Sequence, residues 1–263
     1  MDTGEILSES IAYTRDAFEG KLVRWLIFVI LALPMALVPF VFDADRLVDK
    51  TTAAFRWELV PWDQLAVLFI AAFIFSFFTA GYMVRIYRGA KPAPDFDDWG
   101  NLFFDGLRLA VVMLLWLLPV LIVTLFVVAL AIGVGVSAGA GSAGLVIGLV
   151  LLVLLIETAV CLIVVLLSPI GEIRFARTGS ITEGLRYSKI MELIGQIGWG
   201  QYIIALVVLF VAIIVFTVIT MVLSAIPYIG WVISLVITPL LTVFTARYYT
   251  LIYDQGGSQQ VPP

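Results

Sequence analysis

The residue with the most chemical potential in this 263-residue chain is Glu157, a carboxyl set in the apolar run Leu154-Leu-Ile-Glu157-Thr-Ala-Val-Cys161. An ionised carboxylate at the centre of a bilayer costs at least about 2.5 kcal/mol, so such a group is kept for a reason. One reason is transport: a proton- or cation-binding carboxylate whose pKa is raised by desolvation unless a cation compensates. The other is structural: a neutral or hydrogen-bonded glutamic acid tying two helices together, with Thr158, Ser76, Thr79 or Thr220 as its expected partner. No basic residue lies near the middle of any apolar run to pair with it.

A second set of chemical groups is the cluster Asp95, Asp97, Asp98 and Asp105. Carboxylates are hard ligands for a divalent cation, but helix capping and dipole compensation explain them more simply, with the cap at Asp95 or Asp97. A salt-bridged surface with Arg174, Arg177 or Arg186 is a further reading. Two backbone features also invite function. Gly133, Gly135, Gly139, Gly141, Gly144 and Gly148 suit either a re-entrant pore loop or a small-residue hairpin that packs two helices closely. Pro34, Pro39, Pro119, Pro227 and Pro239 lie in or near apolar runs and Pro169 marks the end of one; a broken helix there would free carbonyls for an ion.

Other chemistry is excluded by composition. There is no histidine and Cys161 is the only cysteine, which removes His-based triads, His-held haem, Cys-rich zinc sites and an intrachain disulfide. No cofactor, no metal and no enzymatic activity are expected. Net charge is −4 without a basic stripe, so nucleic acid is not an expected partner.

The elements that position these groups are helices in lipid. Hydrophobic residues make up 62% of the chain, too much for one globular core to hide. The runs are long and unbroken rather than alternating, which rules out a β-barrel. Six runs meet the roughly 20 residues that a crossing helix needs: Val23–Phe42, Leu65–Val84, Leu109–Val136, Leu145–Leu167, Tyr202–Ile226 and Ile229–Tyr249. The expected fold is an all-α, six-span polytopic membrane domain over residues 1–254, followed by a short disordered tail from Gln255 to Pro263. Its basic residues fall on alternate connections. With the N-terminus inside, only Arg46, Lys50 and Arg56 lie outside, so both termini are expected in the cytoplasm of a cell-membrane protein. The acidic first twenty residues do not resemble a cleavable signal.

The inner connections carry amphipathic patterns. Trp99, Leu102, Phe103, Gly106 and Leu107 form a helical stripe within 97–107, read as an interfacial helix. Ser180-Ile-Thr-Glu183 has capping-box spacing ahead of a second such helix, and Ile6, Leu7, Ile11, Thr14 and Phe18 outline a third. The order is a possible threefold repeat of amphipathic helix, span, span, each unit closing on an aromatic and basic exit: Gly81-Tyr-Met-Val-Arg85, Glu172-Ile-Arg-Phe-Ala-Arg177 and Ala246-Arg-Tyr-Tyr249.

The stretch from Gly81 to Arg85, then Pro94-Asp-Phe-Asp-Asp-Trp99-Gly, Leu102-Phe and Asp105-Gly-Leu107, resembles the DUF4013 family of prokaryotic, largely archaeal membrane proteins. Ser168-Pro169, Phe175-Ala-Arg177 and Ile197-Gly-Trp199-Gly share the likeness, which extends over nearly the whole chain. It implies a six-helix topology and no established activity. The sequence therefore favours a non-enzymatic protein that organises membrane lipids or a protein partner at a cytoplasmic interface, through Asp95, Phe96, Asp98, Trp99, Arg174 and Arg177. A small transporter or channel built on Glu157 and Thr158 is the alternative. Oligomeric state is not readable.

Overall fold

In hydrocarbon every backbone N–H must find its acceptor within the segment, so long apolar runs fold as helices. The computed structural model describes residues 2–42, 47–49, 54–137, 143–226 and 229–257. Its helices are α1 (Thr3–Phe18), α2 (Leu22–Val41), α3 (Trp62–Tyr87), α4 (Trp99–Ser137), α5 (Ala143–Thr178), the single turn α6 (Ile181–Gly184), α7 (Tyr187–Ile197), α8 (Trp199–Ser224) and α9 (Gly230–Gly257). Six of them, α2, α3, α4, α5, α8 and α9, are long and apolar enough to cross a membrane. Among the described residues the only β-structure is one bridge between Val48 and Phe55. Arg46, Lys50, Gly139, Gly141, Pro227 and the tail beyond Gly257 lie outside the described residues.

The amphipathic stripes face protein more than lipid. The stripe expected as a separate interfacial helix is the opening of α4 itself: Leu102 and Leu109 are fully buried, and the segment lies so close to α3 that a Cβ on Gly81 would stand 1.8 Å from the Leu102 carbonyl oxygen. Ser180 precedes α6 without a side-chain cap. Its hydroxyl meets that of Thr182 at 2.8 Å, and Glu183 is drawn away to Arg174 and Arg186, so the capping box does not form. The amphipathic helix that follows is α7, whose Ile190, Ile194 and Ile197 are buried in a core with Leu167, Ile170, Tyr202 and Tyr248. At the N-terminus, Asp2 caps α1 through the amides of Gly4 and Glu5, and Tyr13, Ala17 and Phe18 sink into the main core.

Prolines do not break the spans. Pro169 lies inside α5, which continues to Thr178, and Pro34, Pro39, Pro119 and Pro239 are likewise inside helices. A proline disturbs the turn before it, and neighbours supply donors there. The Tyr202 hydroxyl donates to the Leu166 carbonyl at 2.6 Å, and the Trp25 indole to that of Val236 at 2.7 Å. These carbonyls lie three residues before Pro169 and Pro239. Of the glycines beside the join, those described leave open space: a Cβ on Gly133, Gly144 or Gly148 would meet nothing within 4 Å. Helix α9 runs three residues into the expected tail because Gly256 is seated against Leu193 and Ile197 of α7.

Three spans converge at one end of the bundle, hereafter the charged end. Val84, Ile86 and Tyr87 of α3, Ile173, Phe175 and Ala176 of α5, and Val243 and Ala246 of α9 share one buried cluster. Each amphipathic element then leans on the second span of the preceding unit. The start of α4 packs on α3, α6 and α7 pack on α5, and α1 packs on α9. These three packings follow one cyclic order, with α1 closing the ring, and α7 packs on α9 besides.

Candidate functional site at the charged end of the bundle

The three span exits align on an arginine set between buried neighbours: Val84-Arg85-Ile86, Ile173-Arg174-Phe175 and Ala246-Arg247-Tyr248. With the flanking residues facing the core, each guanidinium is turned toward the amphipathic element beside it. There it finds a carboxylate. Arg85 holds Asp97 and also donates to the carbonyls of Asp95 (2.8 Å) and Asp97 (2.7 Å). Arg174 holds Glu183, its Nε at 3.1 Å. Arg247 holds Glu9 at 2.6 Å and lies over the Tyr13 ring, 4.8 Å from its centroid. Glu9 also accepts from Lys91 Nζ at 2.9 Å.

The electrostatics follow from these contacts. Hydrogen bonds from Lys91 and then Arg247 hold the Glu9 carboxyl below its ordinary 4.5. Arg174 and Arg186 do the same for Glu183, and Arg24 for Asp95. Burial pushes the Tyr13 phenol up to about 12 against the opposing pull of Arg247 and Arg24, so it stays a donor, to the Ala90 carbonyl at 3.0 Å.

Other cations lace the same end together. Arg24, with its side chain only 5% exposed, donates to the carbonyls of Ala17 (2.5 Å) and Ala93 (3.1 Å) and to Asp95 (2.5 Å). Arg88 joins the Ala176 carbonyl to Asp105, and Arg177 joins the Tyr87 carbonyl to Asp254. Three of the four acids, Asp95, Asp97 and Asp105, thereby go to Arg24, Arg85 and Arg88 rather than to Arg174, Arg177 or Arg186. No group of three metal-ligating side chains occurs among the described residues.

The residues expected to form a cytoplasmic interface each have an internal partner. Phe96 is stacked between Tyr82 (4.7 Å) and Trp99 (5.7 Å), with Phe28 edge-on at 4.9 Å. Asp98, rather than Asp95 or Asp97, caps α4: it adopts φ +43°, tolerable for Asp, and accepts from the Asn101 amide and side chain. Its neighbours are already held by arginines. Trp99 keeps 44% of its surface exposed. Asp95 and Arg177 lie at the surface while Arg174 is half-buried.

Between α4 and α5, Glu157 accepts from the exposed Thr124 at 2.7 Å, not from Ser76, Thr79, Thr158 or Thr220. Ser76, Thr158 and Thr220 donate instead to carbonyls of their own helices, as side-chain hydroxyls in apolar helices do. The second Glu157 oxygen is buried without a partner. Sequence reasoning also passed over Glu172, which lies between the buried Gly171 and Ile173 and accepts from the Tyr87 hydroxyl at 3.4 Å. Its signal was an acid inside a basic exit.

The geometry thus offers a braced, charge-paired end and two interhelical carboxyls, Glu157 and Glu172. Neither a curated protein nor a solved structure matches the chain. The family model described as "Protein of unknown function (DUF4013)" matches residues 64–228. That range runs from the first turn of α3 past the end of α8, includes the Pro94–Trp99 segment, and leaves α1, α2 and α9 aside. It is more than half of the chain but narrower than the likeness read from sequence. The chain, a six-span α-helical protein by its architecture, belongs to the DUF4013 family.

Proposed function

We propose that this is a non-enzymatic protein of the cell membrane, with both termini in the cytoplasm, that organises the lipid around it and presents a rigid cytoplasmic face to a partner. The observation that carries this reading is the α4–α5 hairpin. Residues 109–136 contain no charge, and at about 1.5 Å per residue they make roughly 42 Å of apolar helix. A hydrocarbon core is about 30 Å thick. Leu125, Phe126, Leu151 and Leu155 are all more than half exposed along this hairpin, so bilayer rather than protein surrounds them. The mismatch is relieved by tilt or by thickening of the neighbouring bilayer. The braced end supports the second half of the reading, because a face whose arginines already hold carboxylates is a fixed platform.

The test is reconstitution into liposomes of increasing acyl-chain length, with thermal stability, lipid preference and solute flux read on the same samples. Stability rising toward the thicker bilayers, with retained lipid and no flux, is the expected result. Solute movement with neither lipid nor partner preference refutes the proposal. The unpartnered Glu157 oxygen favours the transport alternative, which requires Glu157→Gln to abolish flux while leaving stability unchanged.

A further inference from the structure

Helices α2 and α8 both pack on α9 and leave an apolar gap beside it. Trp25 of α2, Ala212, Val215, Phe216 and Ile219 of α8, and Leu240, Leu241 and Phe244 of α9 line that gap. At the charged end α1 lies over it, presenting Leu7, Ile11, Thr14 and Phe18. The groove has a volume of about 680 Å³, within the roughly 300–1,000 Å³ of small-molecule sites. Its charged lining residues are confined to the α1 end, where Arg15 and Glu19 stand 3.6 Å apart.

We propose that this groove is a lipid site that takes one alkyl chain of a bilayer lipid from the leaflet facing α1, with the headgroup at the Arg15–Glu19 rim. Three observations select that occupant. The walls are membrane spans, so the medium at the groove's open side is hydrocarbon. The lining changes from wholly apolar to charged in one direction only, which is the polarity profile of a lipid and not of a helix or a free apolar molecule. The groove lining contributes one charge of each sign at the rim, both side chains more than two-thirds exposed; Arg15 also meets Asp16 at 3.3 Å, and such exposed pairs are weakly held and open to a headgroup bearing phosphate and ammonium. Ile11 is 55% exposed here although it sits on the amphipathic helix. A chain beneath it completes its burial.

The inference deepens the lipid-organising reading and rests on it. The test is native mass spectrometry of the full chain released from detergent, after reconstitution with a zwitterionic phospholipid and with an anionic one. Wild type and Ile214→Trp, a substitution on an exposed residue of α8 outside the groove lining, are expected to keep one lipid per chain. Ala212→Phe and, independently, Val215→Trp fill the gap and are expected to lose at least 80% of that bound population. Val215 is half exposed, so its variant has room to fold. A preference of at least threefold for the zwitterionic lipid is expected, reduced to none in Arg15→Gln/Glu19→Gln. Equal retention by wild type and both groove variants overturns the groove and leaves the lipid reading standing. Retention by no form of the protein overturns both.

Discussion

Replacing Gly81 by Ala sets two known effects against each other, and the structure decides which wins. In an open helical position the change is favourable by about 1 kcal/mol, because Ala restricts the unfolded chain and completes the helix. At Gly81, however, the new Cβ would lie 1.8 Å from the Leu102 carbonyl oxygen, and at Gly106 1.8 Å from that of Phe77. Both contacts are to backbone, so no rotamer change relieves them. To reach the 3.4 Å of an ordinary contact, α3 and α4 must part by about 1.6 Å where they cross, loosening the ring packing of Phe77 on Phe103 and of Phe78 on Trp99. Overpacking of this kind costs about 1–3 kcal/mol, which after the helical gain of about 1 kcal/mol leaves a net loss of about 0–2 kcal/mol for either single variant. The double variant is expected to lose less than the sum, since one separation accommodates both methyls. Gly195 of α7 is the internal control: nothing lies within 4 Å of its Cβ position, so Gly195→Ala is expected to stabilise. Cys161, the only cysteine and partly shielded in α5, reports unfolding when a thiol-reactive dye is present during a thermal ramp. If Gly81→Ala melts with or above Gly195→Ala, the close approach of α3 and α4 is refuted.

The remaining predictions concern charge and orientation. Glu9 is held below 4.5 in the folded chain by Lys91 and Arg247, so its contribution is complete above about pH 4.5 and is lost as pH falls through the lowered value. A pH series of melting temperatures should show this acid loss in wild type and a smaller one in Glu9→Gln. Thr124→Val leaves the Glu157 carboxyl with no polar partner and should cost about 1–3 kcal/mol, whereas Thr124→Val/Glu157→Leu should recover most of it, because unmade hydrogen bonds are dearer than absent ones; equal melting of the two refutes the tie. For orientation, in a Cys161→Ser background a cysteine at Thr3 should react with an impermeant reagent only in opened cells. One at Glu58, in the 3-10 turn of the opposite end, should react in intact cells.

The spans were legible because a bilayer imposes one length and one composition on whatever crosses it, and Leu145–Leu167 or Tyr202–Ile226 satisfy both with no tertiary information. The amphipathic stripes were legible as stripes but not in their destination. A sequence shows that Leu102 and Leu109 share a face; it does not show whether lipid or α3 covers it. The clue was Gly81, which with Gly106 admits backbone contact, whereas a Cβ at Gly144 or Gly148 would meet open space. The hydroxyl partner of Glu157 was missed for a similar reason. Thr124 is 33 positions away in sequence, and only the register of α4 against α5 puts its hydroxyl at the right depth. Ser180 and Glu183 had the correct local spacing for a cap, yet two arginines offered Glu183 a stronger, charge-assisted partner.

The basic residues teach the most about how one feature serves two ends. Counted along the chain, Arg85, Arg174 and Arg247 enter the charge asymmetry from which orientation is expected, and any arginine near a span end would do that. Their placement between buried neighbours adds a second constraint, since each must meet a carboxylate from the next amphipathic element in the cyclic order: Asp97, Glu183, Glu9. An exposed ion pair is worth only about 0–1 kcal/mol, but Arg247 is 6% exposed, and a charge so buried loses about 3–5 kcal/mol when its partner is removed. The first two carboxylates lie within 12 residues of their arginines, so they arrive with the chain. The third comes from 238 residues away. Closing the ring therefore depends on α1 returning to α9, and Glu9, by holding Lys91 as well, carries that closure across to the connection between α3 and α4. Helix α1 is thus a structural member of the bundle, its apolar face shared between protein and the groove beneath Ile11.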